Sequence, residues 1–323
     1  MKKAEVNNQA PVSTELLSRL QKSIQSVIRG KDEIVRLALV SLFARGHLLI
    51  EDVPGVGKTT LAHSLARSFN CAFQRVQFTS DMLPSDVIGI SIFSQQTERF
   101  EFRPGPVFAN IVLADEINRT TPKTQSALLE AMNENQVTVD NRTYPLPQPF
   151  MVIATQNPIE HHGTYPLPES QLDRFLMRLK MGYPAAASEK EILRNFSDSD
   201  PLARVEPVMS AAEVVEIQQS VRRVSVDDHL LNYTLAIVEK TRQHEYLSLG
   251  VSPRGSMMLY RAAQALALVE GRNYCIPDDF KRLALPVLAH RCVISSRYVS
   301  TLKKGDQAEA ILREIIDTTP VPL

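Results

Sequence analysis

The sequence predicts an α/β domain, a parallel sheet with helices on both faces, followed by an all-helical domain. Three observations predict it. Short apolar runs alternate with helical patterns as far as Tyr183-Pro184. One of those runs leads into a glycine-rich loop. Beyond Pro184 the strand signal stops and only helical periodicity continues. Alternating strands and helices imply parallel strands joined by helical crossovers.

The elements follow in order. Residues 15 to 45 read as helices, because Leu16, Leu17 and Leu20 recur at helical spacing, then Ile24, Val27 and Ile28. Arg29-Gly30-Lys31 interrupts the pattern, and Ile34, Leu37, Ala38 and Phe43 resume it. His47 to Ile50 is a short apolar run of the kind a buried parallel strand shows. Thr60 to Phe69 reads as a helix. Phe73 to Phe78, Ile111 to Ala114 and Phe150 to Ala154 are further strands, with a helix over Thr124 to Asn133. Two stretches alternate with period two and predict hairpins. One spans Ser80 to Val107 and turns at Ser94 to Glu98; the other spans Gln136 to Tyr144 and turns at Asp140-Asn141. Helical patterns then run over Ser188 to Phe196, Ala211 to Val221, Asp227 to Arg242, Ser252 to Val269 and Pro277 to Leu288. Ser188 with Glu191 has the spacing of a capping box. The division is a tail over residues 1–14, an α/β domain over 15–184 and a helical domain over 185–323.

Composition narrows the function classes. The chain has 323 residues, enough for about two domains. Lys+Arg and Asp+Glu both number 36, so the basic excess of a protein that coats nucleic acid is absent. No apolar run is long enough to span a membrane, and the first residues lack the apolar stretch of a signal peptide. Cys71, Cys275 and Cys292 form no CxxC pair and read as buried free thiols, which suits a cytoplasmic location.

Five stretches carry chemistry. Asp52-Val53-Pro54-Gly55-Val56-Gly57-Lys58-Thr59 follows the phosphate-binding pattern GxxxxGK[ST], except that Asp52 replaces the first glycine. Gly55 and Gly57 let backbone N–H groups turn onto phosphates. Lys58 reaches the β and γ phosphates, and Thr59 offers a hydroxyl to magnesium. The next helix, starting near Thr60, directs its positive end at the anion. In Ile111-Val112-Leu113-Ala114-Asp115-Glu116 an apolar strand ends in two carboxylates. Asp115 is the expected magnesium residue, directly or through water, and Glu116 the group that polarises the attacking water. On an extended segment the two point to opposite sides, which separates their roles. Asn157, after the strand Val152 to Thr155, is placed to bond the γ phosphate and the lytic water. Arg174 and Arg178, four apart, are expected on one helix face. Arg254, in Ser252-Pro253-Arg254-Gly255, opens a helix from which a guanidinium would reach the phosphates. His161-His162 lacks a third ligand at metal spacing and is set aside.

With these stretches in order, the chain resembles the AAA+ ATPases, and most closely their MoxR branch. LIEDVPGVGKTTLA, VLADEINRTTPKTQSALLEAM, ATQNPIEHHGTYPLPESQLDRFLMR and GVSPRG carry the match, which covers residues 15 to 320. The resemblance implies a helical lid, a ring of six subunits, and ATP with Mg²⁺ as ligands. It implies that Asn157 is the sensor-1 residue, Arg254 the sensor-2 arginine and Arg174 the arginine finger, with Arg178 and Arg119 as rivals. It implies that Val27-Ile28-Arg29-Gly30 packs on the adenine and that the Ser80 to Val107 hairpin faces a central pore. Members of the branch are described as chaperones that activate complexes or help insert cofactors, often with a separate von Willebrand factor A-domain partner.

Three other classes compete with a protein remodeller. A nucleic-acid motor would use a basic groove with stacking aromatics, but Arg99 and Arg103 of the first hairpin are offset by Glu98 and Glu101. A nucleotide switch without turnover needs neither Glu116 nor Arg174. A magnesium-chelatase-like motor shares these motifs.

Overall fold

The computed structural model describes residues 14–157, 163–195, 201–296 and 304–322. Of the expected tail over residues 1–14 only Thr14 is among them, and it opens the first helix; the His161-His162 pair lies outside them. Helices α1 (Thr14–Gln25) and α2 (Asp32–Phe43) precede strand β1 (Leu48–Glu51), and the glycine-rich loop leads from β1 into α3 (Lys58–Ser68). Strand β2 (Phe73–Gln77) follows. The first insert is a short helix, α4 (Pro84–Ile88), and a hairpin of β3 (Gly89–Ser94) and β4 (Arg99–Pro104). Then come β5 (Ile111–Asp115), α5 (Pro122–Glu134), a second hairpin of β6 (Gln136–Val139) and β7 (Arg142–Pro145), and β8 (Met151–Gln156). The domain ends with α6 (Glu169–Leu172) and β9 (Met177–Leu179).

Five strands form one parallel sheet in the order β2-β5-β8-β1-β9. The order turns back at β1, and the carboxyl end of such a switch point is where open α/β sheets bind ligands. Strand alternation divides the core between two faces. Leu48, Ile50, Ile111, Leu113, Met151 and Ile153 face α1, α2 and α3. Leu49, Val112, Ala114, Val152 and Ala154 face α5 and the inserts. Both faces are covered, so these strands read as continuous apolar runs.

The second half holds α7 (Ala186–Asn195), α8 (Ala211–Val221), α9 (Asp228–Gln243), α10 (Pro253–Val269), α11 (Pro277–Leu288) and α12 (Lys304–Asp317). Short strands β10 (Leu247–Leu249) and β11 (Val293–Ile294) pair antiparallel. The helices α8 and α10 pack on α2, and α11 packs on β9. The apolar cluster on the α1–α3 face continues into this half through Val214, Ile217, Leu259 and Leu266. The helical part is thus fused to the sheet domain by a shared core.

Several expectations need correction. Ser188 lies inside α7, since Ala185 and Ala186 let the helix start earlier; the capping box belongs to Ser210 and Glu213 of α8. Arg174 and Arg178 share no helix face: α6 stops at Leu172, and the chain extends to pair β9 with β1, which puts Arg178 on a strand. The strands β9, β10 and β11 have three residues or fewer, too few to display a period. The patterns also left α12 unassigned. Cys275 and Cys292 are buried free thiols, but Cys71 is only half-buried. Burial pushes the Cys275 and Cys292 thiols up to about 12, so they are unreactive.

Candidate functional site

The loop after β1 is built by two glycines and one carboxylate. Gly55 and Gly57 adopt φ of 85° and 95°, a region that side chains with Cβ avoid. Asp52, at the first consensus glycine, has no such φ. Its carboxylate accepts from the N–H of Val53 at 2.8 Å and from the N–H of Gly182 beyond β9. The loop is therefore tied to the chain leaving the neighbouring strand. Lys58 Nζ donates to the Asp52 carbonyl at 2.9 Å, and Lys58, Thr59 and Thr60 form the first turn of α3. Partial burial lowers the Lys58 pKa, opposed by the nearby Asp115, Asp52 and Glu116. That combination suits an amine waiting for a strongly charged anion.

Asp115 and Glu116 stand at the end of β5, with β8 between it and β1. Their separation comes from a backbone turn and not from strand alternation, because Glu116 is left-handed at φ 55°. A non-glycine residue held there costs energy and marks a site that the surroundings over-determine. Thr155 of β8 does the holding. Its Oγ1 donates to Asp115 at 2.6 Å and accepts from the Glu116 N–H at 2.9 Å. The side chains then diverge. Asp115 pairs with Arg75 of β2 at 2.6 Å, while Glu116 accepts from Gln77 at 2.7 Å and pairs with Arg119 at 2.9 Å. Sequence reasoning missed Arg75, Gln77 and Thr155. The period-two spacing of Arg75 and Gln77 on a strand beside the acidic one was the available signal. Asn157 directly follows β8, buried, at the same carboxyl edge.

The expected adenine segment lies across from α7. Ile28 is buried, the Arg29 guanidinium is 3.9 Å from Glu191, and a Cβ on Gly30 would strike the Ser188 hydroxyl. Lys31 Nζ donates to the Tyr183 carbonyl at 2.7 Å, beside the Gly182 link.

The remaining arginines are placed differently. Arg178 is one-tenth exposed and ion-paired to Glu51 at 3.3 Å and Glu309 at 3.1 Å, so it is committed to holding β9 and α12. Arg119 pairs with Glu116 of its own site. Arg174 and Arg254 line one cavity with Gly46, His47 and Phe150, at the amino edge of the sheet. That is the edge opposite the phosphate loop. The expectation that Arg254 reaches the phosphates of its own loop is therefore corrected: its Nη2 donates to Asn133 Oδ1 at 2.6 Å, because α10 packs on α2. Arg174 Nη1 donates to the Leu129 carbonyl at 2.7 Å. The preceding Asp173 is gripped from the helical half by the buried Arg291 at 2.8 Å. Burial lowers the Arg291 pKa to about 10, still charged at neutral pH, with Asp173 as the opposing influence.

Residues 47–177 match the family described as "ATPase family associated with various cellular activities (AAA)", and residues 239–315 match the "AAA lid domain". The uncharacterised protein YeaC of Bacillus subtilis is 52% identical over 95% of each chain. Chaperone MoxR1 of Mycobacterium tuberculosis is 40% identical over 95% of this chain and 82% of its own length. A crystal structure from Cytophaga hutchinsonii, assigned as an ATPase, superposes with a TM-score of 0.88 at 36% identity over 96% of each chain. With both the ATPase and the lid families matched, and a MoxR chaperone 40% identical over 95% of this chain, the chain belongs to the MoxR family of AAA+ ATPases.

Proposed function

We propose that this chain is a magnesium-dependent ring ATPase that remodels or activates other proteins. One observation carries the reading: the catalytic groups are split between opposite edges of one sheet. Lys58, Asp115 and Glu116 stand at the carboxyl edge, while Arg174 and Arg254 stand at the amino edge without a carboxylate partner among the described residues. One copy cannot bring both sets to one nucleotide. A ring of copies, expected to number six, brings the arginine edge of one to the phosphate loop of the next.

The residues divide the work. Backbone N–H groups of residues 55–58 and the amine of Lys58 hold the phosphates. Glu116, aimed by Thr155 and Gln77, polarises the water, and Asn157 orients it. Arg174 and Arg254 of the neighbouring copy neutralise charge that develops on the transferred phosphoryl group. Thr59 and Asp115 are hard oxygen donors, the set that Mg²⁺ takes. Both Asp115 oxygens already accept hydrogen bonds, so Asp115 would hold the ion through its water shell. The ion, when bound, offsets charge on the β and γ phosphates.

The work is delivered through the hairpin of β3 and β4. Phe93 and Phe100 meet edge to face at 5.4 Å and remain 52% and 67% exposed, with Ile90 and Ile92 also exposed. Phe102 stacks at 4.0 Å on Tyr144 of the second hairpin, which braces the first. Exposed aromatics on a braced arm suit an unfolded or apolar polypeptide segment. The name of the mycobacterial relative, a chaperone, supports that client class. A separate A-domain protein and a cytoplasmic location belong to the same proposal.

The test is ATP turnover against protein concentration, with particle mass recorded at each point. Turnover per chain should rise as the particles grow and should stop when magnesium is chelated. Constant turnover per chain down to particles of monomer mass would sink the split-site reading.

A further inference from the structure

The cavity that holds Arg174 and Arg254 holds three more arginines that no motif announces. Arg45 sits in the turn between α2 and β1, Arg222 caps α8, and Arg261 lies on α10. The cavity is about 440 Å³, and none of its lining residues is an Asp or a Glu. None of the five arginines takes part in an ion pair among the described residues, whereas Arg36, Arg75, Arg178, Arg272, Arg282 and Arg291 all do. A chain with balanced charge has thus gathered five uncompensated cations in one place. An ordinary solvated face would intersperse both signs.

Arg45 adds an independent observation. It is left-handed at φ 57°, in the position after the α2 cap where glycine fits without strain. The next N–H, of Gly46, returns to the Ser41 carbonyl at 2.8 Å, so the turn itself needs only a small residue. A guanidinium is kept there at a backbone cost, which points to a use for the side chain. Arg45, Arg222 and Arg261 also share a small adjoining recess, so they form one group drawn from the sheet domain and from two lid helices.

We propose that Arg45, Arg222 and Arg261 complete, with Arg174 and Arg254, a receiving site for the polyphosphate of a nucleotide held by a second copy of this chain. This rests on the split-site reading above. The three added arginines tune assembly: the edge repels itself until a triphosphate supplies the missing negative charge. ATP, with one phosphate more than ADP, is the better ligand.

The experiment measures assembly by sedimentation velocity, in the full chain carrying Glu116→Gln so that nucleotide persists. Arg45→Gln, Arg222→Gln and Arg261→Gln are combined, and a second variant carries Lys at all three positions. With ATP the Gln variant should need about tenfold more protein to assemble, and the Lys variant less than that, because charge at longer reach survives. Added salt should weaken the parent more than the Gln variant, since charges beyond roughly 10 Å are screened at about 0.1 M. Binding of a fluorescent ATP analogue, measured on dilute subunits, separates the two levels of argument. If the parent binds none, the phosphate-loop reading has failed and the inference falls with it. If the parent binds and the Gln variant assembles at the same concentration, only the inference is overturned. Tripolyphosphate on Lys58→Ala subunits probes the other source of such an anion. Tight binding there that the three Gln substitutions abolish, with assembly unchanged, would make the cavity a site for a free anion and overturn the role of the second copy.

Discussion

His47 shows how one buried side chain fixes the amino edge of the sheet. Its Nδ1 accepts from the Val152 N–H at 3.0 Å, which leaves Nε2 to donate to the Met132 carbonyl at 3.0 Å. The ring must be neutral to do both. Burial lowers its pKa to about 4, the Met132 contact works against that shift, and Arg254 adds to it. The folded pKa is below the ordinary value near 6.5, so the unfolded chain takes up a proton that the folded chain refuses. This contribution is intact above pH 6.5 and is lost as the pH falls towards 4. At 1.36 kcal/mol per unit, roughly 3 kcal/mol is at stake. Gln at position 47 keeps one donor and one acceptor and cannot be protonated in this range. Urea unfolding should therefore show the stability of the wild type, relative to His47→Gln, falling by roughly 3 kcal/mol between pH 8 and pH 4. A difference that stays flat would mean the ring is not held neutral. Glu116 is the second such residue. Glu116→Gln keeps the contacts to Thr155 and Gln77 and removes the charge that polarises water. ATP binding should persist while hydrolysis falls about 10²–10⁴-fold, measured by phosphate release, and a rate within about threefold of wild type would move the role to another group.

The glycine loop illustrates what could be read in advance and what could not. Its glycines, its lysine and the acidic strand end are local in sequence, and periodicity placed the strands that carry them. The departure at Asp52 had no local explanation, because its second partner, Gly182, is 130 positions away. The same limit applies to Arg174. It reads as part of a helix with Arg178, but long-range pairing of β9 with β1 pulls the chain straight and gives Arg178 to Glu51. The amino-edge arginines were equally hidden, since only the packing of α10 on α2 puts Arg254 beside Arg174. The hairpin at Gln136 to Tyr144 was legible because Asp140 and Asn141, both left-handed, are the residues a two-residue turn prefers. For the loop, the consequence is a prediction against consensus. Asp52→Gly restores the standard motif but leaves the N–H groups of Val53 and Gly182 without their acceptor. Hydrogen bonds to a charged group contribute about 1.5–3 kcal/mol each, so the variant should unfold at lower denaturant and bind ATP more weakly. Tighter ATP binding with unchanged stability would show that Asp52 is a defect in the motif and not a strut.

The shared core joins the lid and the sheet, so the placement of the arginines belongs to the whole molecule and not to one element. Arg291 is buried in the lid and holds Asp173, Arg174 follows it in the chain, and Arg254 stands beside Arg174 on α10. A copy therefore presents both arginines as a rigid pair, facing away from its own phosphate loop. The last prediction is that Arg174 acts on the neighbouring copy. Arg174→Ala subunits keep Glu116 but lack the finger, and Glu116→Gln subunits keep the finger but cannot polarise water. Each alone should be nearly inactive, since a finger supplied across an interface is worth roughly 10³–10⁵ in rate in the GTPase precedent. Mixed rings contain interfaces at which an intact Glu116 faces an intact Arg174. Activity should reappear on mixing and peak near equal proportions, where such interfaces are most frequent. Subunit exchange must be followed in the same samples by energy transfer between labelled copies. If exchange is complete and the mixture stays inactive, Arg174 does not act across the interface. Arg254→Ala in the same design should complement Glu116→Gln as well, because the two arginines travel together. Complementation by Arg174→Ala but not by Arg254→Ala would separate them and assign Arg254 to its hydrogen bond with Asn133 alone.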